Sequence, residues 1–158
     1  MVLRVLIPCG ILLLALLTAF YRLQGIKQVT DASRAVNKCY GNPAMMKLAG
    51  RRYFFAGIIR HTGRHSGREY ATPVWALPTS EGFLISLPFG EGVDWLKNVL
   101  AAGRATIETK GETWEVVEPE VIDREVAQPL LPWWVRPMFG LAGFKRYLKV
   151  RMQTIHPT

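Results

Sequence analysis

The longest apolar stretch in the chain is an uncharged run from Val5 to Tyr21, bracketed by Arg4 and Arg22. As a helix, residues 5–21 reach ~25 Å at ~1.5 Å per residue, and snorkelling of the flanking arginines extends that toward a ~30 Å hydrocarbon core. The run predicts an N-terminal membrane-anchor helix over residues 1–24. A cleaved signal peptide competes poorly, because Thr18-Ala19-Phe20-Tyr21 is not a small-residue cleavage site. A helix buried in the fold or lying in the membrane plane is the other alternative. Residues 25–52 read as a juxtamembrane linker with short helices, the second punctuated by Asn42 at its N-cap, Pro43 in its first turn and Gly50 as its stop.

Beyond the linker the pattern changes to short runs of β-branched and aromatic residues between Gly, Ser and Pro clusters. Tyr53–Arg60, Tyr70–Leu77, Gly82–Leu87, Ala105–Thr109 and Thr113–Glu118 predict five strands. Between the third and fourth, Asp94 near a helix start, Trp95, Leu96 and Val99 at helical spacing, and Gly103 as a stop predict one helix. A doubly wound sheet alternates strand and helix throughout, so the pattern favours an α+β fold, a small mostly antiparallel barrel over 53–122 with one crossover helix. Residues 123–158 crowd Trp133, Trp134, Phe139, Phe144 and Tyr147 beside Arg136, Lys145, Arg146, Lys149 and Arg151. That mixture predicts a helical aromatic-basic segment, packed on the barrel or lying at a membrane interface.

Composition narrows the class. The chain has 158 residues, the size of one domain, with 49% hydrophobic and 20% charged residues, which excludes disorder and a coiled coil. Lys plus Arg number 20 against 12 acids, a net charge of +8, so an anionic partner is expected. Arg22, Lys27, Arg34, Lys38, Lys47, Arg51 and Arg52 follow the anchor with Asp31 alone opposing them. This places the domain on the cytoplasmic side of the cell membrane, against an anionic membrane surface. A bilayer accounts for that charge as well as a nucleic acid does, and nucleic-acid binding ranks last. Cys9 and Cys39 cannot build a disulfide framework or a four-cysteine zinc site.

The densest polar stretch is His61-Thr62-Gly63-Arg64-His65-Ser66-Gly67-Arg68, joining two predicted strands. Its glycines permit a tight turn, and Arg64, His65, Ser66 and Arg68 concentrate donors suited to a phosphate or carboxylate, although an ordinary basic hairpin loop has the same composition. It is neither a phosphate loop of the Walker type nor a three-glycine dinucleotide fingerprint. His61 and His65 have a helical metal-ligand spacing but lie in a loop without a third ligand, so no metal is expected. Neither Ser66 nor Thr62 sits in a nucleophile-elbow sequence. A second cluster, Pro88-Phe89-Gly90-Glu91-Gly92, leads into the Trp95 helix, where glycines let a flat ring approach the backbone.

Together, Thr62-Gly63-Arg64-x-Ser66-Gly67-Arg68, then Thr72-Pro73-Val74, a glycine-containing loop, and Asp94-Trp95-x-x-Asn98-x-x-Ala101-Ala102-Gly103 resemble the deazaflavin-dependent nitroreductase family of actinobacteria. The resemblance covers about residues 53–122. It implies a split β-barrel binding coenzyme F-420, an 8-hydroxy-5-deazaflavin whose reduced ring delivers hydride to quinones, enones or activated nitro compounds. Carried over, Thr62, Gly63, Arg64, His65, Ser66 and Arg68 hold the coenzyme's phosphate and acidic tail, and Thr72, Pro73, Val74, Pro88, Phe89, Gly90, Gly92 and Trp95 border its ring. Family members often have lysine where this chain has His65, a weaker phosphate ligand near neutral pH. Tyr70 and Tyr147 are candidate proton donors beside solvent. The anchor points to a lipophilic small-molecule acceptor, and a homodimer is compatible with the pattern. The rivals are a tethered barrel that binds a lipid or acidic ligand without catalysis, and an FMN-dependent oxidoreductase using the same loop.

Overall fold

The computed structural model describes residues 45–153. The expected anchor and most of the linker lie outside the described residues, and among those described no helix is long and apolar enough to cross a membrane. Seven strands form one antiparallel sheet: β1 (Gly57–Thr62), β2 (Glu69–Val74), β3 (Ala76–Pro78), β4 (Gly82–Ser86), β5 (Arg104–Thr109), β6 (Glu112–Asp123) and β7 (Arg146–Met152). Helix α1 (Asp94–Ala102) connects β4 to β5, and α2 (Arg124–Ala127) and α3 (Arg136–Ala142) separate β6 from β7.

The strand order is β2-β1-β5-β6-β7-β4-β3, so β2 and β3 are the two edges of the sheet. They are also consecutive in the chain, separated by Trp75 alone. Two residues of extended backbone span no more than ~7 Å. The edges therefore meet at Trp75, and the sheet has to curl into a barrel-like shell.

Side-chain alternation distributes the shell over two cores. Ile59, Phe83, Ile85, Ile107, Val116, Leu148 and Val150 point to one cluster, into which α1 inserts Leu96 and Val99. Leu84 and Tyr147, from the opposite faces of the same strands, pack with Ile122, Leu131, Val135 and Phe139 under the α2–α3 segment. Burial on both faces explains why β4 reads as an unbroken apolar run. The β5–β6 hairpin turns through Lys110 and Gly111 at φ 54° and 82°, the pair of left-handed residues that a two-residue hairpin of matching twist requires.

The expected antiparallel pairing and crossover helix are present on a sheet curled into a half-barrel, with four differences. The predicted strand over 53–60 begins only at Gly57 and runs on through Thr62, so His61 and Thr62 lie in β1 and not in the loop that follows it. The predicted strand over 70–77 divides at Trp75 into β2 and β3. The predicted strand over 113–118 continues to Asp123 across an irregularity between Val117 and Glu120, where Glu118 has φ 55° and Pro119 interrupts the ladder. The segment 123–158 is not wholly helical, because β7 lies between β6 and β4 and supplies the interior of the sheet. Leu148, Val150 and Met152 alternate on its inner face, a period-two signal masked by the neighbouring aromatic and basic residues.

Close packing of β4 on β7 rests on Gly82, where an added Cβ would fall 2.1 Å from the Val150 carbonyl and 2.8 Å from Arg151 Cα. Gly82→Ala is expected to destabilise the chain by about 3 kcal/mol in urea unfolding, because only backbone can yield. Gly103→Ala, at φ +68° in open space, is expected to cost about 1 kcal/mol. Equal effects would show that the β4–β7 contact is not tight.

Candidate functional site

The turn after β1 is closed by Gly63 N–H donating to the Arg68 carbonyl at 2.8 Å and Gly67 N–H donating to the Gly63 carbonyl at 2.8 Å. A Cβ at Gly63 would crowd the Ser66 hydroxyl and the Tyr70 ring, so a larger residue there would displace these two side chains. Opposite it, Gly90 turns the 88–92 segment, its N–H donating to the Leu87 carbonyl at 3.0 Å. Arg146 reaches both Glu91 and Asp123 at 3.0 Å and holds this turn against β6 and β7.

Between these two turns lies a cleft of about 1170 Å³. One wall is Gly63–Ser66 with Tyr70–Trp75 of β2 and the link that follows it, a second is Pro88, Phe89, Gly92 and the start of α1, and a third is Met138, Ala142 and Phe144. Phe55 sits at the rim, its ring centroid 5.5 Å from that of Trp75. Among residues expected from sequence, Gly63, Arg64, His65, Ser66, Thr72, Pro73, Val74, Pro88, Phe89, Gly92 and Trp95 line this one cleft. Thr62, Arg68 and Gly90 do not, although each belongs to a lining segment.

The two candidate tyrosines separate. Tyr70 lines the cleft, its hydroxyl 3.2 Å from Ser66 Oγ. Tyr147 is buried under α3 beside Phe139 and Phe144 and does not reach the cleft. Burial pushes its phenol up to about 12, against a smaller opposing pull from Arg124.

Arg64 is engaged by the protein itself. Its backbone N–H and Nη1 donate to Asn98 Oδ1 at 3.2 and 2.9 Å, Nη1 reaches the Asp94 carbonyl at 3.4 Å, and Nη2 pairs with Asp94 Oδ1 at 3.3 Å. Its role in the fold is to pin the loop to the first two turns of α1. Arg68 is exposed and has no ion pair among the described residues, and exposed His65 lines the cleft, so these two side chains of the loop are open to a ligand.

Within the wall, Asn98 Nδ2 lies 3.2 Å from His61 Nδ1, and His61 Nε2 lies 3.4 Å from Thr72 Oγ1; all three residues line the cleft. His61 and Asn98 are both buried, and Tyr70 stacks on the imidazole at 5.8 Å between centroids. In the sequence His61 stands out only for its metal-ligand spacing to His65, and no spacing pattern marks Trp75, Ser86 or Asn98 as site residues. The usable signal was Asn98, a polar residue between Leu96 and Val99 on a helix whose neighbours are core.

No family model matches the chain, and no curated protein matches it in sequence. Solved structures with similar folds include HutZ, the heme storage protein from Vibrio cholerae, at 13% identity over 73% of this chain and 90% of that one, with a TM-score of 0.47. An F-420 reductase aligns at 11% identity over 68% of this chain and 92% of its own, with a TM-score of 0.44. A conserved hypothetical protein from Mycobacterium tuberculosis aligns at 12% identity over 68% and 85%, with a TM-score of 0.42. These likenesses are distant, and the architecture above stands on its own strand pairing.

Burial lowers the His61 pKa from its ordinary 6.5. As pH falls through about 6.5 the unfolded chain takes up a proton that native His61 resists, so folding stability is full above that pH and declines toward the lower folded value. Urea unfolding between pH about 7.5 and about 5 is expected to show this slope in the parent chain and a shallower one in His61→Gln. Parallel slopes would show that His61 titrates alike in both states.

Proposed function

We propose that the cleft binds a flat aromatic redox cofactor of the deazaflavin or flavin class and passes hydride from it to a lipophilic acceptor such as a quinone, enone or activated nitro compound. The observation that carries this reading is the convergence of two glycine-containing turns, 63–67 and 88–92, on opposite sides of one large cleft with aromatic walls. At about 1170 Å³ the space exceeds the ~300–1,000 Å³ of most small-molecule sites, which leaves room for a tricyclic ring and an acceptor together. The donor set also fits. Polar groups gather at the 63–66 end, where a phosphate or acidic tail would rest near His65 and extend toward exposed Arg68 outside the lining, while Val74, Trp75, Phe89, Trp95 and Met138 offer apolar surface for a ring.

Such a cofactor supplies the hydride from its ring when bound. The chain's part is to orient and to exclude water: Pro73, Val74 and Trp95 fix the approach of a flat ligand, and the α3 wall screens it from solvent. Tyr70, which lines the cleft, would return a proton to a reduced product, with solvent as the other source. Coenzyme F-420 is the first choice on the resemblance of Thr62–Gly103; FMN uses the same donors.

The acceptor is proposed to be lipophilic because the segment that walls the cleft also carries exposed apolar side chains. Trp133 and Trp134 are 79% and 61% exposed, beside Leu130 and Leu141, with Arg136 in the same segment. We place this surface on the anionic cytoplasmic leaflet. The full chain, and a Trp133→Ser/Trp134→Ser variant, can be compared by co-sedimentation with vesicles of phosphatidylcholine alone and with added phosphatidylserine. Binding is expected to need the anionic lipid and to weaken in the variant; equal binding in all cases would remove this surface from the account.

For the cofactor, the full chain in detergent is to be titrated with oxidised coenzyme F-420 and separately with FMN, following ligand fluorescence and thermal stabilisation. Saturable binding of one is expected. Arg68→Ala should weaken it about tenfold, the loss of one charge-assisted hydrogen bond of about 1.5 kcal/mol. Arg64→Ala should in addition destabilise the apo chain, because it releases the loop from α1. A folded chain that binds neither ligand would transfer the conclusion to a tethered module for a lipid or acidic ligand.

A further inference from the structure

The hydrogen bonds within the cleft wall have a direction fixed by their first member. Arg64 can only donate, and it donates twice to the same side-chain oxygen of Asn98, from its backbone N–H at 3.2 Å and from Nη1 at 2.9 Å. The other end of that amide is therefore its NH2, a donor, and it faces His61 Nδ1 at 3.2 Å. Nδ1 must accept. A neutral imidazole that accepts at Nδ1 carries its proton on Nε2, and Nε2 lies 3.4 Å from Thr72 Oγ1. An imidazolium would set two donors, Nδ1–H and the Asn98 NH2, against each other, and burial independently favours the neutral ring. With its oxygen accepting from His61, the Thr72 hydroxyl has one proton left to donate, and that hydroxyl has no other partner among the described residues. Thr72 lines the cleft.

We propose that Thr72 is a specificity-determining residue whose hydroxyl is presented to the cleft as a hydrogen-bond donor, with Arg64, Asn98 and His61 as positioning residues that fix this polarity. The ligand edge that meets Thr72 is thereby an acceptor, a carbonyl oxygen or an unprotonated ring nitrogen, and not an N–H or O–H. This rests on the cleft being the cofactor site and adds to that reading the chemical sense of one contact. Burying His61 and Asn98 is costly unless every member is satisfied, and the chain satisfies them in series, ending on the Thr72 hydroxyl at the cavity.

Two measurements on the full chain in detergent test it. The first is nitrogen-15 NMR of the histidine rings near neutral pH, with the His61 signals assigned by their absence in His61→Gln. Nδ1 is expected unprotonated and Nε2 protonated in the parent chain, and Asn98→Asp, which replaces the donor by an acceptor, is expected to protonate Nδ1. A parent ring protonated at Nδ1, or one whose state ignores Asn98→Asp, overturns the positioning chain. The second is affinity for oxidised coenzyme F-420 and FMN. Thr72→Ser should keep it within about twofold and Thr72→Val should lower it about tenfold, the scale of one unsatisfied polar group. Equal affinity of Thr72→Val and the parent overturns the proposal. Binding of neither probe by a parent chain with the expected ring state overturns the cofactor reading and with it Thr72 as a specificity residue, whereas a wrong ring state in a chain that binds overturns the positioning chain alone.

Discussion

A single residue, Trp75, separates the two edge strands of a seven-stranded sheet, and the architecture follows from that covalent limit. An open sheet of this order would hold β2 and β3 six strands apart, at ~4.8 Å per strand. The backbone allows nothing near that distance, so curvature is imposed by connectivity rather than by side-chain packing. No ladder joins β2 to β3, so the closure leaves a seam, and β2 from Tyr70 to Val74, with Trp75 after it, forms a wall of the cleft. The Trp75 ring lies between Phe55 at the rim and Phe139 of α3, with centroids at 5.5 and 5.0 Å, and so anchors the helical segment beside the seam it covers.

Local rules made much of this legible. Gly103 stops α1 as expected, its N–H donating to the Val99 carbonyl at φ 68°. The strands β4 and β5 fall within a residue of the apolar runs that predict them, and most of the expected ring- and tail-binding residues share one cleft. What escaped depends on non-local facts. The break at Trp75 is invisible to propensity, because both halves have strand chemistry and only the destination of each half differs. For β7, two-sided burial places Tyr147 and Leu148 in different cores, so the alternation that marks a half-buried strand is blurred. The Asn98–His61 contact joins residues 37 apart in sequence through a helix and a strand, and no spacing rule covers it.

The positive charge of the site also changes meaning once the fold is known. By composition Arg64 and Arg68 look alike, two arginines four apart in a basic loop. In the fold, Arg64 neutralises Asp94 and completes Asn98, whereas Arg68 faces solvent without an ion pair among the described residues. Exposed ion pairs contribute little to stability, ~0–1 kcal/mol, and the Asp94 arm of this contact belongs to that class. The Asn98 arm differs because its acceptor is buried and carries two hydrogen bonds from the same residue.

This division of labour bears on how the cleft can bind. A flexible basic loop would lose conformational freedom for each side chain ordered around a ligand, about 0.5–1.5 kcal/mol apiece, and that loss would offset much of what its donors gain. Here the loop is ordered in advance: Gly63 and Gly67 close the turn, Arg64 fixes it to α1, and the buried series from Asn98 to Thr72 sets a hydroxyl on the wall. The side chains left to adjust are the exposed His65 and Arg68, at the end where an acidic tail would vary in length or charge. Rigidity thus sits where a flat ring would have to be oriented, and adaptability where only charge has to be met.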